Sequence, residues 1–214
     1  MSENDARSDT PQRRGRPRQD EVESRRERVL DAAVEELVER GDAGLTMSSV
    51  AIRASASKAT LYAWWGSREG LLSAVVRRNA DQAAIAVREA LHSESSVPET
   101  LVRFASGLLR LLTGPVSVAL NRAAMTTPSL AELLLVSGRY RVGPLVEEYL
   151  AEQHRRGAIK APDPAGAFRL LYGLIVEDIQ IRVLLGEEPP DDAEIREQAR
   201  RSVDRFLHLS RPDD

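Results

Sequence analysis

The chain has 214 residues, of which 42% are hydrophobic and 29% charged, with a formal net charge of −3 and no cysteine. This suffices for one or two small domains with a real core, and it excludes disulfides, thiolate zinc sites and cysteine nucleophiles. The opening residues lack the apolar core of a signal peptide, and no run approaches the roughly 20 apolar residues of a membrane span, so a cytoplasmic protein with no membrane partner is expected.

Residues 1–21 are polar and aperiodic and are expected to form a disordered arm. Inside it runs Arg13-Arg14-Gly15-Arg16-Pro17-Arg18. Arg14 and Arg16 suit a narrow minor groove, where the negative potential is strongest. A solvated basic tail is the plainer alternative. Ser24 and Glu27 then form a capping-box pattern. Val29, Leu30, Ala33, Leu37 and Val38 recur at helical spacing, and Gly41 suits a C-cap. Arg25, Arg26 and Arg28 are expected mostly to pair with nearby acids.

Two short apolar patterns follow across a break at Ser55-Ala56-Ser57. Thr46 reads as the N-cap of a helix from Met47 to Ala54, and Ser57 as the N-cap of one from Lys58 to Trp65. Two brief helices joined by small residues have the shape of a helix-turn-helix, whose second helix enters the major groove. Lys58, Ala59, Thr60, Ala63 and Trp64 fall on its outer face. Leu61, Tyr62 and Trp65 form its apolar side, with Trp65 assigned to the core, so one tryptophan of the pair is expected to be exposed. Ser67 caps a fourth helix that begins with Arg68 and runs to Leu91. From Ala43 to Ala80 the cations are Arg53, Lys58, Arg68, Arg77 and Arg78 against Glu69 alone, a locally basic segment in an acidic chain.

These residues resemble the DNA-binding segment of the TetR family of transcriptional regulators. Thr46, Val50, Ala51, Ala54, Ser57, Thr60, Leu61, Tyr62, Ser67, Glu69 and Leu71 fall on its pattern. Ser55 stands where the family usually has the turn glycine, Ala56 where it has valine, and Trp64, Trp65 and Arg68 replace His or Tyr, Phe and Lys. The resemblance implies that Lys58, Thr60 and Tyr62 touch DNA. With neighbours, the candidate contact set is Arg14, Arg16, Thr46, Ser57, Lys58, Ala59, Thr60, Tyr62, Trp64 and Arg68.

A Ser-rich linker from His92 to Pro98 leads into further helices, 99–112, 116–125, 129–156, 165–185 and 192–209, with a kink expected at Gly143-Pro144. The stretches N-R-A-A-M-T-T-P-S-L-A-E-L, L-A-E-Q-H-R-R-G-A-I and D-P-A-G-A-F are similar to the effector domains of AcrR/AefR-like TetR regulators. Leu108, Leu112, Met125, Leu135, Tyr140, Phe168 and Tyr172 are the candidate wall of an effector cavity, expected to be mainly aliphatic and to favour a small apolar effector. Glu177-Asp178 interrupts an apolar helix and is expected to pair with Arg182 or Arg169. Phe168, Leu171, Ile175 and Ile179 form one stripe and Ile195, Ala199, Val203 and Phe206 another. Both are candidates for a dimer interface, unless they pack inside one subunit.

No P-loop, nucleophile elbow or H-E-x-x-H motif occurs, and His92, His154 and His208 stand far apart. No catalytic residue, metal or cofactor is implied. The chain reads as an all-α protein: an arm over 1–21, a helix-turn-helix DNA-binding domain over 22–78, a helical effector-binding and dimerisation domain over 79–209, and a tail over 210–214. The expected function is that of a ligand-responsive repressor that holds a palindromic double-stranded DNA operator as a homodimer. An activator, a ligand-independent regulator and a helical ligand-binding protein without DNA binding are the alternatives.

Overall fold

Apolar spacing and side-chain caps decide where each helix starts. The computed structural model describes residues 19–92 and 95–212, and every element among them is helical. The head comprises α1 (Gln19–Gly44), α2 (Met47–Arg53), α3 (Lys58–Trp65) and the first half of α4 (Arg68–Leu91). The body adds α5 (Val97–Thr113), α6 (Pro115–Ala124), α7 (Pro128–Leu134), a π-helical turn Leu135–Arg139, α8 (Tyr140–Arg155), α9 (Pro164–Val176), α10 (Ile179–Leu184) and α11 (Asp192–Leu209).

Several caps fall where the sequence puts them. Thr46 Oγ1 accepts from Ser49 N–H at 3.0 Å, and Ser49 Oγ accepts from Thr46 N–H at 3.0 Å. Ser57 Oγ accepts from Thr60 N–H, and Ser67 Oγ from Gly70 N–H. Each satisfies an N–H that the helix start would otherwise leave unpaired. Other boundaries differ. α1 starts at Gln19, so Ser24 and Glu27 lie inside it and cap nothing. Gly41 does take positive φ, at 67°, but one more turn follows to Gly44. The linker is shorter than expected, because Ser96 caps α5 by donating its N–H to Glu99.

Gly143-Pro144 lies within the continuous helix α8, and the irregularity falls a turn earlier, in the π-turn. Proline crowds the carbonyl four residues before it, here Tyr140, and a widened turn just upstream makes room. The expected helix 165–185 is broken in two. Glu177, at φ 44°, ends α9. Its last carbonyls are taken by side chains of α11: Gln198 Nε2 donates to Leu174 O and Ile175 O at 3.2 Å, and Ser202 Oγ donates to Leu174 O at 2.7 Å. Buried carbonyls left by a helix end need such partners.

Two apolar cores result. One joins Val29, Leu37, Leu45, Val50, Leu61 and Leu72 of the head to Leu120, Ala123 and Leu130 of α6 and α7. The other holds Leu101, Phe104, Leu150, Phe168, Val203 and Phe206. α4 contributes Val75 and Val76 to the first and Val87 and Leu91 to the second. Phe206 is fully buried, which contributes roughly 1.5–3 kcal/mol. The two stripes offered for a dimer interface are spent here: Phe168, Leu171, Ile175, Ile195, Ala199, Val203 and Phe206 are buried within one subunit, because α11 packs against both α5 and α9.

Candidate nucleic-acid interface and effector cavity

The α2–α3 turn depends on Ser55, which takes φ 51° where glycine would sit without strain. Beyond it, α3 turns Leu61 fully inward. Lys58, Ala59, Tyr62 and Ala63 lie on the exposed side of α3, and Tyr62 is 52% exposed. Thr60 is half-buried, its hydroxyl 2.8 Å from Ser57 Oγ. The hydroxyls of Thr46 and Ser57 are occupied as caps. Arg14 and Arg16 lie outside the described residues.

The tryptophans differ from expectation. Both are half-buried, edge to face with centroids 5.4 Å apart, and the Arg26 guanidinium covers the Trp64 ring at 5.5 Å. Neither is the exposed member of a pair. α4 can approach so closely because Gly70 has no Cβ: one would fall 2.0 Å from Trp65 O.

The basic segment does not become a uniformly basic face. Arg53 of α2 donates to Glu36 at 2.6 Å, to Glu35 at 3.1 Å and to Glu39 at 3.0 Å, all on α1. Arg68, expected at a phosphate, instead holds Asp42 and donates to Leu45 O at 2.7 Å, closing the α1–α2 connection. Arg78 pairs with Asp31 and Glu27. Among the described residues, Lys58 and Arg77 of this segment remain exposed without an ion pair, and on α1 Arg25 and Arg28, expected to pair with acids, are exposed and unpaired too, Arg26 alone meeting Glu23 at 3.9 Å. Arg53 went unnoticed as a structural residue because its three acids lie 14–18 positions upstream.

Glu36 is buried at 2% exposure. Burial works against its carboxylate, but hydrogen bonds from Arg53 and Ser49 and the charges of Arg40 and Arg53 outweigh it, so its pKa lies below the ordinary value. The Arg53 hydrogen bond lowers Glu39 as well. The carboxylates in turn raise the Arg53 pKa, led by Glu39.

In the body, a cavity of about 450 Å³ opens between α4, α6, α7, the π-turn, α9 and α10. Its volume suits a drug-sized ligand. Leu112, Met125, Leu135 and Tyr172 line it as expected. Three candidates do not. Leu108 is buried in the body core facing a neighbouring cleft of about 550 Å³. Phe168 is core, and Tyr140 is 64% exposed. The wall is less aliphatic than expected, since Asn79, Ser117, Asn121, Arg139 and Gln180 contribute to it. Arg139 stacks on Tyr172, 4.4 Å from the ring centroid, and lies 5.5 Å from that of Phe168. Burial raises the Tyr172 pKa, partly offset by Arg139, so the phenol stays neutral. Glu177 and Asp178 are exposed and pair with Arg205 and Arg182; Arg169 pairs with Asp163 instead.

Among the described residues no cluster of His, Asp and Glu could hold a metal, and no single helix is long and apolar enough to cross a membrane.

The family of bacterial regulatory proteins named tetR matches residues 29–75, and the C-terminal domain of AefR-like transcriptional repressors matches residues 99–209. A TetR transcriptional regulator from Agrobacterium tumefaciens is 36% identical, with 88% of this chain and 95% of that one aligned at a TM-score of 0.70. A TetR-family regulator from Mesorhizobium loti, 22% identical, shares the fold at a TM-score of 0.79 over 88% of this chain and 97% of its own. An uncharacterised HTH-type transcriptional regulator of Bacillus subtilis, YdeS, is 38% identical over 60 residues, which span 28% of this chain and 29% of that relative. These are folds of transcriptional regulators, which are generally not enzymes.

Proposed function

Because the chain belongs to the TetR family of DNA-binding transcriptional regulators, we propose that it is a ligand-responsive repressor that binds a palindromic operator as a homodimer in the cytoplasm. The observation that carries this reading is the outward strip of α3, formed by Lys58, Ala59, Tyr62 and Ala63 on a rigid helix-turn-helix. Lys58 reaches a phosphate or a guanine edge, Tyr62 gives its hydroxyl to a phosphate, and the two alanines suit thymine methyl groups. Thr46, Ser57 and Arg68 act indirectly, by fixing helix ends. The arm carrying Arg14 and Arg16 adds minor-groove contacts.

The dimer uses the outward faces of α9 and α11, where Leu170 is exposed, rather than the stripes buried inside the subunit. Two heads on a two-fold axis require a palindromic site. The cavity touches Val76 and Ala80 of α4 and Ala124 of α6, and α6 packs along α1. An effector that prefers one setting of α4 and α6 therefore shifts the spacing of the heads and releases DNA.

Mobility-shift titrations of the full chain against genomic fragments test the reading. One fragment should be retained preferentially, and Lys58→Ala should lower the salt slope of its log affinity by about 0.9, the loss of one phosphate contact. No preferred fragment at low salt would refute it. In a reporter strain, deleting the operator should raise transcription; a fall would make the protein an activator.

A further inference from the structure

The cavity carries an electrostatic asymmetry. Arg139 is its one charged lining residue, and no Asp or Glu lines it. Arg139 makes no ion pair among the described residues, whereas the neighbouring Arg141 and Arg122 are engaged, by Asp81 and by the carbonyls of Val183 and Leu184. Its guanidinium lies over Tyr172. Stacking occupies the faces of the group, one hydrogen bond goes to the Tyr172 side chain, and the remaining in-plane N–H donors form the fork that matches a carboxylate. It sits on the π-turn, a distortion that often marks functional positions. The side-chain amides of Asn79 and Gln180 also lack hydrogen-bond partners among the described residues. Ser117 and Asn121 add polar groups, and the apolar part of the wall comes largely from Leu111, Leu112, Leu134 and Leu135.

Arg139 is itself exposed, so an incoming anion meets a solvated cation with no carboxylate lining the cavity to compete for it. Building on the ligand-responsive reading above, we propose that the effector is an apolar carboxylic acid, its carboxylate held by Arg139 and its body lying along the leucines. By contrast, the larger cavity of about 620 Å³ between α10 and α11 is lined by Glu187, Glu188, Glu194 and Glu197 as well as Arg182 and Arg201, and lacks this imbalance.

Calorimetry on the full-length protein with matched pairs tests the assignment: decanoate against decan-1-ol, and 1-naphthoate against 1-naphthalenemethanol. At least one acid should bind tenfold or more tightly than its alcohol, and the better pair identifies a chain-like or a flat body. Arg139→Gln should abolish the preference by weakening the acids at least tenfold more than the alcohols, and Arg139→Lys should retain part of it. Equal affinities, or a preference that survives Arg139→Gln, overturn the proposal. If the alcohols alone release operator DNA, the ligand-responsive reading stands and the carboxylate falls. If none of the four binds, the carboxylate assignment falls, while the ligand-responsive reading is judged separately by whether any compound releases operator DNA.

Discussion

In the head, one guanidinium ties α2 to α1 by facing three carboxylates. In the body, a neutral amide and a hydroxyl of α11 hold the two carbonyls left where α9 stops. Both devices cross between helices distant in sequence, and both satisfy a buried polar group. They differ in charge. The head's clamp places the buried carboxylate of Glu36 under an arginine, so its strength depends on protonation and on both partners being present. The body's staple has no titrating group. The clamp also explains why a segment rich in arginine presents few cations outward: Arg53, Arg68 and Arg78 spend theirs on α1. That segment therefore offers a duplex Lys58, Arg77 and the shape of α3.

The sharpest way to break this comparison is Arg53→Met, which leaves the buried Glu36 only Ser49 and its ion pair with the exposed Arg40 at 3.3 Å and should cost about 3 kcal/mol. Both tryptophans of the chain lie in α3, so their fluorescence should lose its native signal at lower denaturant, with a smaller change in the far-ultraviolet signal of the body. An unmoved tryptophan transition would show the clamp to be ornamental. The parent should show the same division with pH. Folded Glu36 and Glu39 lie below their ordinary 4.5, so their contribution is complete above that value and is lost as pH falls through the folded pKa. Acid titration should loosen the head first, and Arg53→Met should flatten that dependence.

Gln198→Leu tests the other side. It leaves the Ile175 carbonyl without its partner and should cost about 2 kcal/mol, seen as a lower melting temperature whose size does not vary between pH 4 and pH 7. A pH-dependent loss would contradict the neutral staple. The smallest effect is expected of Ser55→Gly, which removes the strain of a positive φ and should raise head stability by roughly 0.5 kcal/mol, part of the gain being lost to the freer unfolded chain. Operator affinity should be unchanged; a fall would mean that the serine side chain itself matters.

Much of this was legible beforehand where the determinants are local. The caps at Thr46, Ser57, Ser67 and Asp191 bond to backbone two or three residues away, so spacing alone placed α2, α3, α4 and α11 closely. Periodicity also placed Lys58, Ala59 and Ala63 on the exposed strip of α3, but it put Thr60 and Trp64 there too, which are half-buried, and Tyr62 on the apolar side, although it is exposed. The pocket was only half legible. Leu112, Met125, Leu135 and Tyr172 line it, but Phe168 and Leu108 have the same apolar character and are core, and a side chain's type does not say which side of a wall it faces. Arg139 carried no sequence signal, since its significance is the absence of an acid around it in space.

The sequence by itself determined the helical class, most helix starts and the helix-turn-helix, because hydrogen bonds and apolar periods within a few residues decide them. Only the tertiary structure decided where charge ended up, that α9 breaks at Glu177, that the apolar stripes of α9 and α11 close on their own subunit, and that a cavity keeps one unmatched cation. Those outcomes rest on groups far apart along the chain, whose pairing depends on desolvation and packing that no local pattern records.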